Sequence, residues 1–537
     1  LHSTSRRQRQ MCIRDRGKKE YLACLISLVM LGLTACSDNA NKTGSEVSSG
    51  TSSAEEKDYG YGFDKFGFSR FDVETAESLT YENKTKIVYL TNYDTTFTTT
   101  DDDPRIYDEI YIENTVNEYL DKNGYDFYVD FVMNGEFDFK TGELYPNMDV
   151  YESMLKNNEQ VDIVNTGLGM SALGGYGDTF NLFVERGYLE PLNDYFQTDS
   201  GKAFYDGFDG IVWKQTTCAD GMIYGKTTDY TLAQPLVLLL NGDVCNEYGV
   251  NTDDIQSLED LEPYLQSLAD EGKRGLLLDS TCELYYEMAG FCRYKGVYIN
   301  AETGLAENIF ENEKALKYLK TVYEYSQNGY ISNNVDIAND AYICSLSPAM
   351  PLYYDSSKIV SSGYLQQEEL NGVVGISSSS KNKETAFELL ALLNTDEELA
   401  NIIYNGAEGR NYAVKDGEKY PNKNALPFYD VAATMTNSII AESNSQDNQS
   451  KREDIAICWE HSEVSPFYGL EVSDDLAEKL EKTAAVYDDF YGLFYGDYGE
   501  YQSLDEALFA ANEQLKAAGI DEVLNELNEQ HGKFDKE

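Results

Sequence analysis

The sequence predicts an α/β fold carried on two lobes, with mixed sheets flanked by helices. Three observations lead there. The chain has 537 residues, more than one hydrophobic core usually serves, so two or more lobes are expected. From residue 85 onward, short β-type apolar runs alternate with segments of helical periodicity, the pattern of strands joined by crossover helices. The run Pro235–Leu240 is apolar at every position; it is too short to span a membrane and suits a strand buried on both faces.

Taken in order, Thr85–Asn92 (TKIVYLTN) reads as the first strand. A Thr/Asp loop over 95–104 follows, then a helix over 105–122 with Ile106, Ile110, Val116 and Leu120 as its apolar positions. Tyr125–Met133 is the second strand, Tyr151–Leu155 opens another helix, and Val161–Val164 is a short strand. Ligands of parallel sheets bind at the carboxyl ends of the strands. That places Tyr93, Asp94, Asn165 and Thr166 on the candidate ligand face.

A helical pattern ends at Gly187, and Tyr188–Leu192 forms a buried apolar hook in which Pro191 blocks helix continuation. Asp220-Gly221 reads as a hairpin turn, Met222–Gly225 as the start of a strand, and Thr227–Tyr230 as a polar, aromatic loop. After the apolar run, Asn241-Gly242-Asp243 starts a helix that ends at Gly249. Ser257 with Asp260 makes a capping box ahead of Leu258, Leu261, Leu265 and Leu268. Residues 275–279 are a strand, Cys282–Tyr294 an aromatic helix or loop, and Ala315, Leu316, Leu319, Val322 and Tyr323 stripe a helix before Gly329. Near the end, Leu504, Ala507, Leu508, Ala511 and Leu515 share one helical face; Gly519 closes that helix and Asp521 caps the next.

Residues 1–16 carry five arginines and match nothing downstream. They resemble translated adapter or vector sequence, the other reading being a native basic leader. Lys18-Lys19 then precedes a 13-residue apolar run, Tyr21–Leu33, short of the roughly 20 residues a spanning helix needs and right for a signal-peptide core. It ends in Leu33-Thr34-Ala35-Cys36, which resembles the lipobox of bacterial lipoproteins. The resemblance implies a signal peptide over 17–35, lipidation at Cys36 and attachment to the outer face of the cell membrane. The Ser/Thr/Gly/Asn/Glu/Lys-rich stretch after Cys36 has little to bury and reads as a tether.

The formal net charge is −52, and removing the basic leader makes the remainder more acidic still. Such a chain repels nucleic acid, whose affinity comes chiefly from Lys and Arg contacts to phosphate, and it repels anionic lipid, so any membrane attachment must come from the lipid on Cys36. The cysteines beyond Cys36, at 218, 245, 282, 292, 344 and 458, show no CxxC or Cys/His metal spacing. Free buried thiols are expected, although Cys282 and Cys292 are close enough in sequence to pair.

Catalytic patterns are wanting, and no catalytic residue, metal site or cofactor is expected. Beyond the leader the only histidines are His461 and His531. The neighbours of His461, Trp459-Glu460-His461-Ser462, include no GxSxG elbow, and there is no HExxH. The glycine-rich stretch 167–177 lacks the GKS or GKT of a phosphate loop. Asp101–Asp103 and Asp253-Asp254 lack the spaced oxygens of a calcium loop.

Between residues 187 and 250 the order of elements resembles the extracellular solute-binding proteins (family 1) that feed ABC importers. The residues that carry the resemblance are Gly187–Leu192, then Asp220-Gly221 with Tyr224-Gly225, then Leu236–Asn241 followed by Tyr248-Gly249-Val250. It extends through Ala349–Asp355 (AMPLYYD), Gly372–Ser380 with the helix at 381–394, Asn405–Tyr412, and Leu504–Asn528 of a larger-bodied branch. The resemblance implies a periplasmic-binding-protein-like fold of type II, with 81–236 and 346–374 in one lobe, 237–345 and 375–537 in the other, and hinge crossings between them. It implies a monomer that delivers a small-molecule ligand to membrane permease subunits, and no catalysis.

A binder of this kind needs aromatic and polar groups facing its ligand. Sugars suit such a surface, because their C–H faces pack on rings while acids and amides take the hydroxyls. Where the family places its ligand loops, the chain supplies Asp229, Tyr230, Tyr353, Tyr354, Asp355, Arg410 and Tyr412 beside the strand-end residues above, with Trp213 and Trp459 as further stacking platforms. A neutral oligosaccharide is the expected ligand. The alternatives are a peptide or other solute, or a surface carbohydrate-active enzyme.

Overall fold

The computed structural model describes residues 78–92, 108–134, 137–138, 143–167, 179–218, 220–227, 236–255, 257–278, 290–294, 296–300, 302–332, 344–348, 357–359, 364–365, 372–421, 434–445, 462–463, 467 and 472–534. They fall into two compact units: one made by the described residues up to 190 with 374–436 and 440–445, the other by 191–373, 437–439 and those from 446 onward.

The first unit is built on a five-stranded mixed sheet. Its elements in chain order are β1 (Thr85–Asn92), α1 (Asp108–Lys122), β2 (Phe127–Asn134), α2 (Asn147–Lys156), β3 (Ile163–Asn165), α3 (Thr179–Glu185), β4 (Leu189–Glu190), β5 (Val374–Ser377), α4 (Lys383–Thr395) and α5 (Glu397–Asn405). The hairpin of β6 (Tyr412–Lys415) and β7 (Glu418–Pro421) follows. The strands lie in the order β2-β1-β3-β5-β4. β1 runs parallel to both β2 and β3, while β5 is antiparallel to β3 and β4. β1 has the predicted bounds, and its last six residues are buried, as a central strand covered on both faces requires.

The outer strand β2 keeps its free edge closed by α1. Asn117 donates to the Val129 carbonyl and accepts from the Val129 N–H, both at 2.8 Å. One helical turn earlier, the Glu113 carboxyl accepts from Phe131 N–H at 2.6 Å. Positions four apart on a helix thus meet positions two apart on a strand, and an edge that could template another strand is occupied. At the amino end of β3, Asp162 accepts from Val88 N–H (2.9 Å) and from the Ser380 hydroxyl (2.6 Å), fixing the turn after β5 to the sheet.

The second unit has its own mixed sheet, in the order Ile331–Ser332, Leu276–Leu277, Cys344–Pro348, Leu236–Leu240, Ser357–Ile359. Leu236–Leu240 is antiparallel to both of its neighbours. A three-stranded antiparallel sheet (Phe291–Tyr294, Val297–Asn300, Ala306–Glu307) packs with the helices Glu313–Gln327, Asp474–Asp489, Leu504–Ala518 and Ile520–Phe534 around one apolar core. Tyr298 meets Tyr487 edge to face at 4.8 Å, and Asn528 exchanges two hydrogen bonds with the main chain of Ala306, each 2.9 Å. Among the described residues no helix is long and apolar enough to cross a membrane.

Several expectations are corrected. Met222–Gly225 forms no strand, only an isolated bridge between Ile223 and Thr217. The reason is local: Ile223 N–H donates to the Asn193 side chain (2.8 Å) and its carbonyl accepts from Leu192 N–H (2.7 Å), so its backbone is committed to the hook. Phe291–Tyr294 is a strand rather than a helix or loop, because Val297–Asn300 pairs with it. Asp521 lies inside the first turn of its helix instead of capping it. The helix expected to open at Tyr151 begins at Asn147, directly after Pro146. The capping box is half formed: the Asp260 carboxylate accepts from both the N–H and the hydroxyl of Ser257. The helix after Leu240 is as expected, with Asn241 accepting from Val244 N–H and Gly249 in the left-handed conformation, φ 66°.

Candidate functional site

The three parallel strands of the first unit all end in asparagine at the same edge of the sheet: Asn92 on β1, Asn134 on β2 and Asn165 on β3. Asn92 and Asn134 are register partners on adjacent strands. This carboxyl edge is where a parallel sheet offers its ligand-binding ground, since the following loops and helix N-termini gather there.

A fourth asparagine ties the edge together. Asn147 begins α2 and is 0% exposed. Its side-chain amide donates to the Asn92 side-chain oxygen and, at 2.9 Å, to the Asn165 main-chain carbonyl. Its side-chain oxygen accepts from the Asn134 amide at 2.8 Å, and the same Asn134 nitrogen donates to the Tyr145 carbonyl at 2.7 Å. A buried polar group left without a partner costs about 1–3 kcal/mol; here the partners are one another, and the amides are held in one orientation.

Asn165 and Thr166, both expected on this face, are there and buried. The Asn165 side chain accepts from Gly167 N–H at 3.0 Å and donates to the Thr434 hydroxyl at 3.3 Å, while Thr179 donates to the Gly167 carbonyl at 3.2 Å. The edge is thus lined by neutral amides and hydroxyls. These groups donate and accept hydrogen bonds without carrying charge, which suits hydroxyl-rich ligands.

Arg410 and Tyr412 lie in the same unit, at the entry to the β6–β7 hairpin. The Arg410 guanidinium stands 4.1 Å from the ring centre of Tyr111, in the first turn of α1. The Lys419 ammonium lies 4.5 Å from the ring centre of Tyr412 and pairs with Glu442 at 2.8 Å. Both rings therefore already carry a cation.

Trp213, a candidate stacking platform, is built into the second unit instead. It is 2% exposed. Tyr205 lies parallel to it at 5.2 Å, Phe196, Phe204 and Phe208 meet it edge-on, and its indole N–H donates to the Tyr205 carbonyl at 2.9 Å. Its stacking surface is taken up by the core.

Tyr93, Asp94, Asp229, Tyr230, Tyr353, Tyr354, Asp355 and Trp459 lie outside the described residues, as do Cys36, His461 and Asp101–Asp103. Cys218 and Cys245 are free thiols, and burial pushes the Cys245 thiol pKa up. Among the described residues no group of three or more His, Cys, Asp or Glu could hold a metal ion. Asn92, Asn134 and Asn147 were not among the predicted site residues. The signal was present in the recurrence of Asn as the last residue of TKIVYLTN, FYVDFVMN and IVN.

No protein-family model matches the chain. Over 396 residues it is 22% identical to a carbohydrate ABC transporter substrate-binding protein of Streptococcus pneumoniae, the match covering 67% of this chain and 78% of that one. Among solved structures it is similar to the N-glycan transport solute-binding protein NgtS of S. pneumoniae, with a TM-score of 0.62 and 20% identity over 84% of this chain and 99% of that one. It is also similar to an extracellular solute-binding protein from Bifidobacterium longum subsp. infantis, with a TM-score of 0.54 and 12% identity over 85% and 99% of the two chains. The fold is that of the type II solute-binding proteins, as the resemblance read from the sequence implies.

Proposed function

We propose that this chain is the extracellular solute-binding component of an ABC importer, capturing a neutral oligosaccharide and delivering it to membrane permease subunits without altering it. The observation that carries this reading is the likeness, along most of both chains, to a curated carbohydrate ABC transporter substrate-binding protein. Two further solved structures similar to this chain are NgtS with Man5GlcNAc and NgtS with Man1GlcNAc, at TM-scores of 0.51 and 0.53. The chemistry of the strand ends agrees: four asparagines and buried threonines provide uncharged donors and acceptors for hydroxyl groups. Asn165 and Thr166 belong to that ligand face, with Arg410 and Tyr412 near it and Tyr93, Asp94, Asp229, Tyr230, Tyr353, Tyr354, Asp355 and Trp459 on the loops that complete it. The protein acts as a monomer held at the cell surface by a lipid on Cys36.

Titration calorimetry of the purified chain against a glycan panel and a peptide panel, with analysis of the solution for new products, tests the reading. Saturable binding of a glycan with no product supports it. Binding of a peptide and no glycan overturns the ligand class, and a product in the glycan panel overturns the transport role. Loss of detergent-phase partitioning in C36A cells tests the anchor; unchanged partitioning contradicts it.

A further inference from the structure

The bonds made by Asn147 fix more than the strand ends; they fix which atom each neighbouring amide presents. Asn147 donates to the Asn92 side-chain oxygen, so the Asn92 amide nitrogen is turned away from Asn147. Asn134 spends its amide nitrogen on the Asn147 oxygen and the Tyr145 carbonyl, so its own side-chain oxygen is the atom turned away. Asn92 and Asn134 are register partners on adjacent parallel strands. The edge therefore carries a donor and an acceptor side by side, in fixed order. A hydroxyl both donates and accepts, so adjacent hydroxyls on a sugar ring satisfy such a pair. A carboxylate can only accept and an ammonium can only donate.

We infer that Asn147 is a specificity-determining positioning residue, which selects neutral hydroxyl pairs by setting the amide orientation of Asn92 and Asn134. It acts through those two side chains from a fully buried position. The inference rests on the proposed oligosaccharide reading and names the group that enforces neutrality at the site.

Asn147→Asp isolates the effect, because it keeps shape while removing the donor. A carboxylate at 147 draws the amide nitrogens of both Asn92 and Asn134 toward itself, leaving two acceptors on the ligand side. The probes are Man5GlcNAc and a set of its monodeoxy analogues, titrated against the wild-type chain and N147D. In the wild type, removing the hydroxyl that bridges Asn92 and Asn134 should weaken binding by about tenfold, the loss expected of one hydrogen-bonded hydroxyl. In N147D that penalty should vanish, the parent glycan binding as weakly as the analogue. A purely structural Asn147 gives the opposite result: uniform weakening, with the deoxy penalty intact, and that overturns the inference. Should N147D fail to fold, Asn92→Asp keeps the bond from Asn147 and presents an oxygen in place of the amide nitrogen, so the same loss of the penalty is expected and its persistence is contradictory. A wild-type chain that binds no glycan overturns the oligosaccharide reading and this inference together, whereas wild-type binding with an unmoved penalty in both variants overturns this inference alone.

Discussion

Asn117 pairs its side-chain amide with both main-chain groups of Val129, at 2.8 Å each, as a neighbouring strand would. The outer strand of the first unit is thereby hydrogen-bonded on a side where no strand lies. Replacing Asn117 by Leu keeps a helix-forming residue of similar size and leaves the buried Val129 groups without partners. Stability should fall by about 1–3 kcal/mol, and the opened edge should promote association. Urea unfolding followed by light scattering checks both; unchanged stability contradicts the role given to Asn117.

Gly296 stands between Phe291–Tyr294 and Val297–Asn300 at φ +96°, and a Cβ there would lie 2.4 Å from the Ala484 Cβ and 2.8 Å from the Leu480 carbonyl. Gly296→Ala combines a strained backbone with a clash against a helix backbone, so a loss of at least about 2 kcal/mol is expected in urea unfolding. The first unit does not contain this contact.

Trp213 is packed among four rings. Trp213→Ala should cost about 3–5 kcal/mol, while Trp213→Phe should leave glycan affinity unchanged. A marked loss of affinity in W213F, with the fold intact by circular dichroism, would return Trp213 to the ligand surface.

Arg410 lies over Tyr111. Arg410→Lys replaces a planar cation by a point charge, and about 0.5–2 kcal/mol of stability should be lost. Tyr111→Leu should produce a similar loss, and the double variant little more than either alone, since both remove one interaction. A double variant whose loss is the sum of the two contradicts the pairing.

Much of the fold was legible because its signals are local. The apolar run of β1, the helix stop at Gly187, the left-handed Gly249 and Gly519 and the stripe Leu504–Leu515 are each decided within a few residues. The strand expected at Met222–Gly225 was misread because the group that claims Ile223 N–H is Asn193, thirty residues earlier in the chain. The candidate site follows the same rule. Strand ends pointed to Asn165 and Thr166, which a periodicity argument can place. Asn147 reaches Asn92 across 55 positions and Asn165 across 18; such bridges exist only once the sheet order is set. Trp213 was taken for a platform because a tryptophan's chemistry is the same in a core and on a ligand surface, and only its surrounding rings decide between them.

The central claim is that the asparagine-tipped carboxyl edge of the first unit's sheet receives a neutral oligosaccharide. Hydrogen–deuterium exchange of the chain, with and without the glycan that binds it most tightly in calorimetry, tests this directly. The account predicts slowed exchange concentrated at residues 90–92, 133–134 and 164–167. Saturating glycan with exchange unchanged at those residues, and slowed only within the second unit, would contradict it.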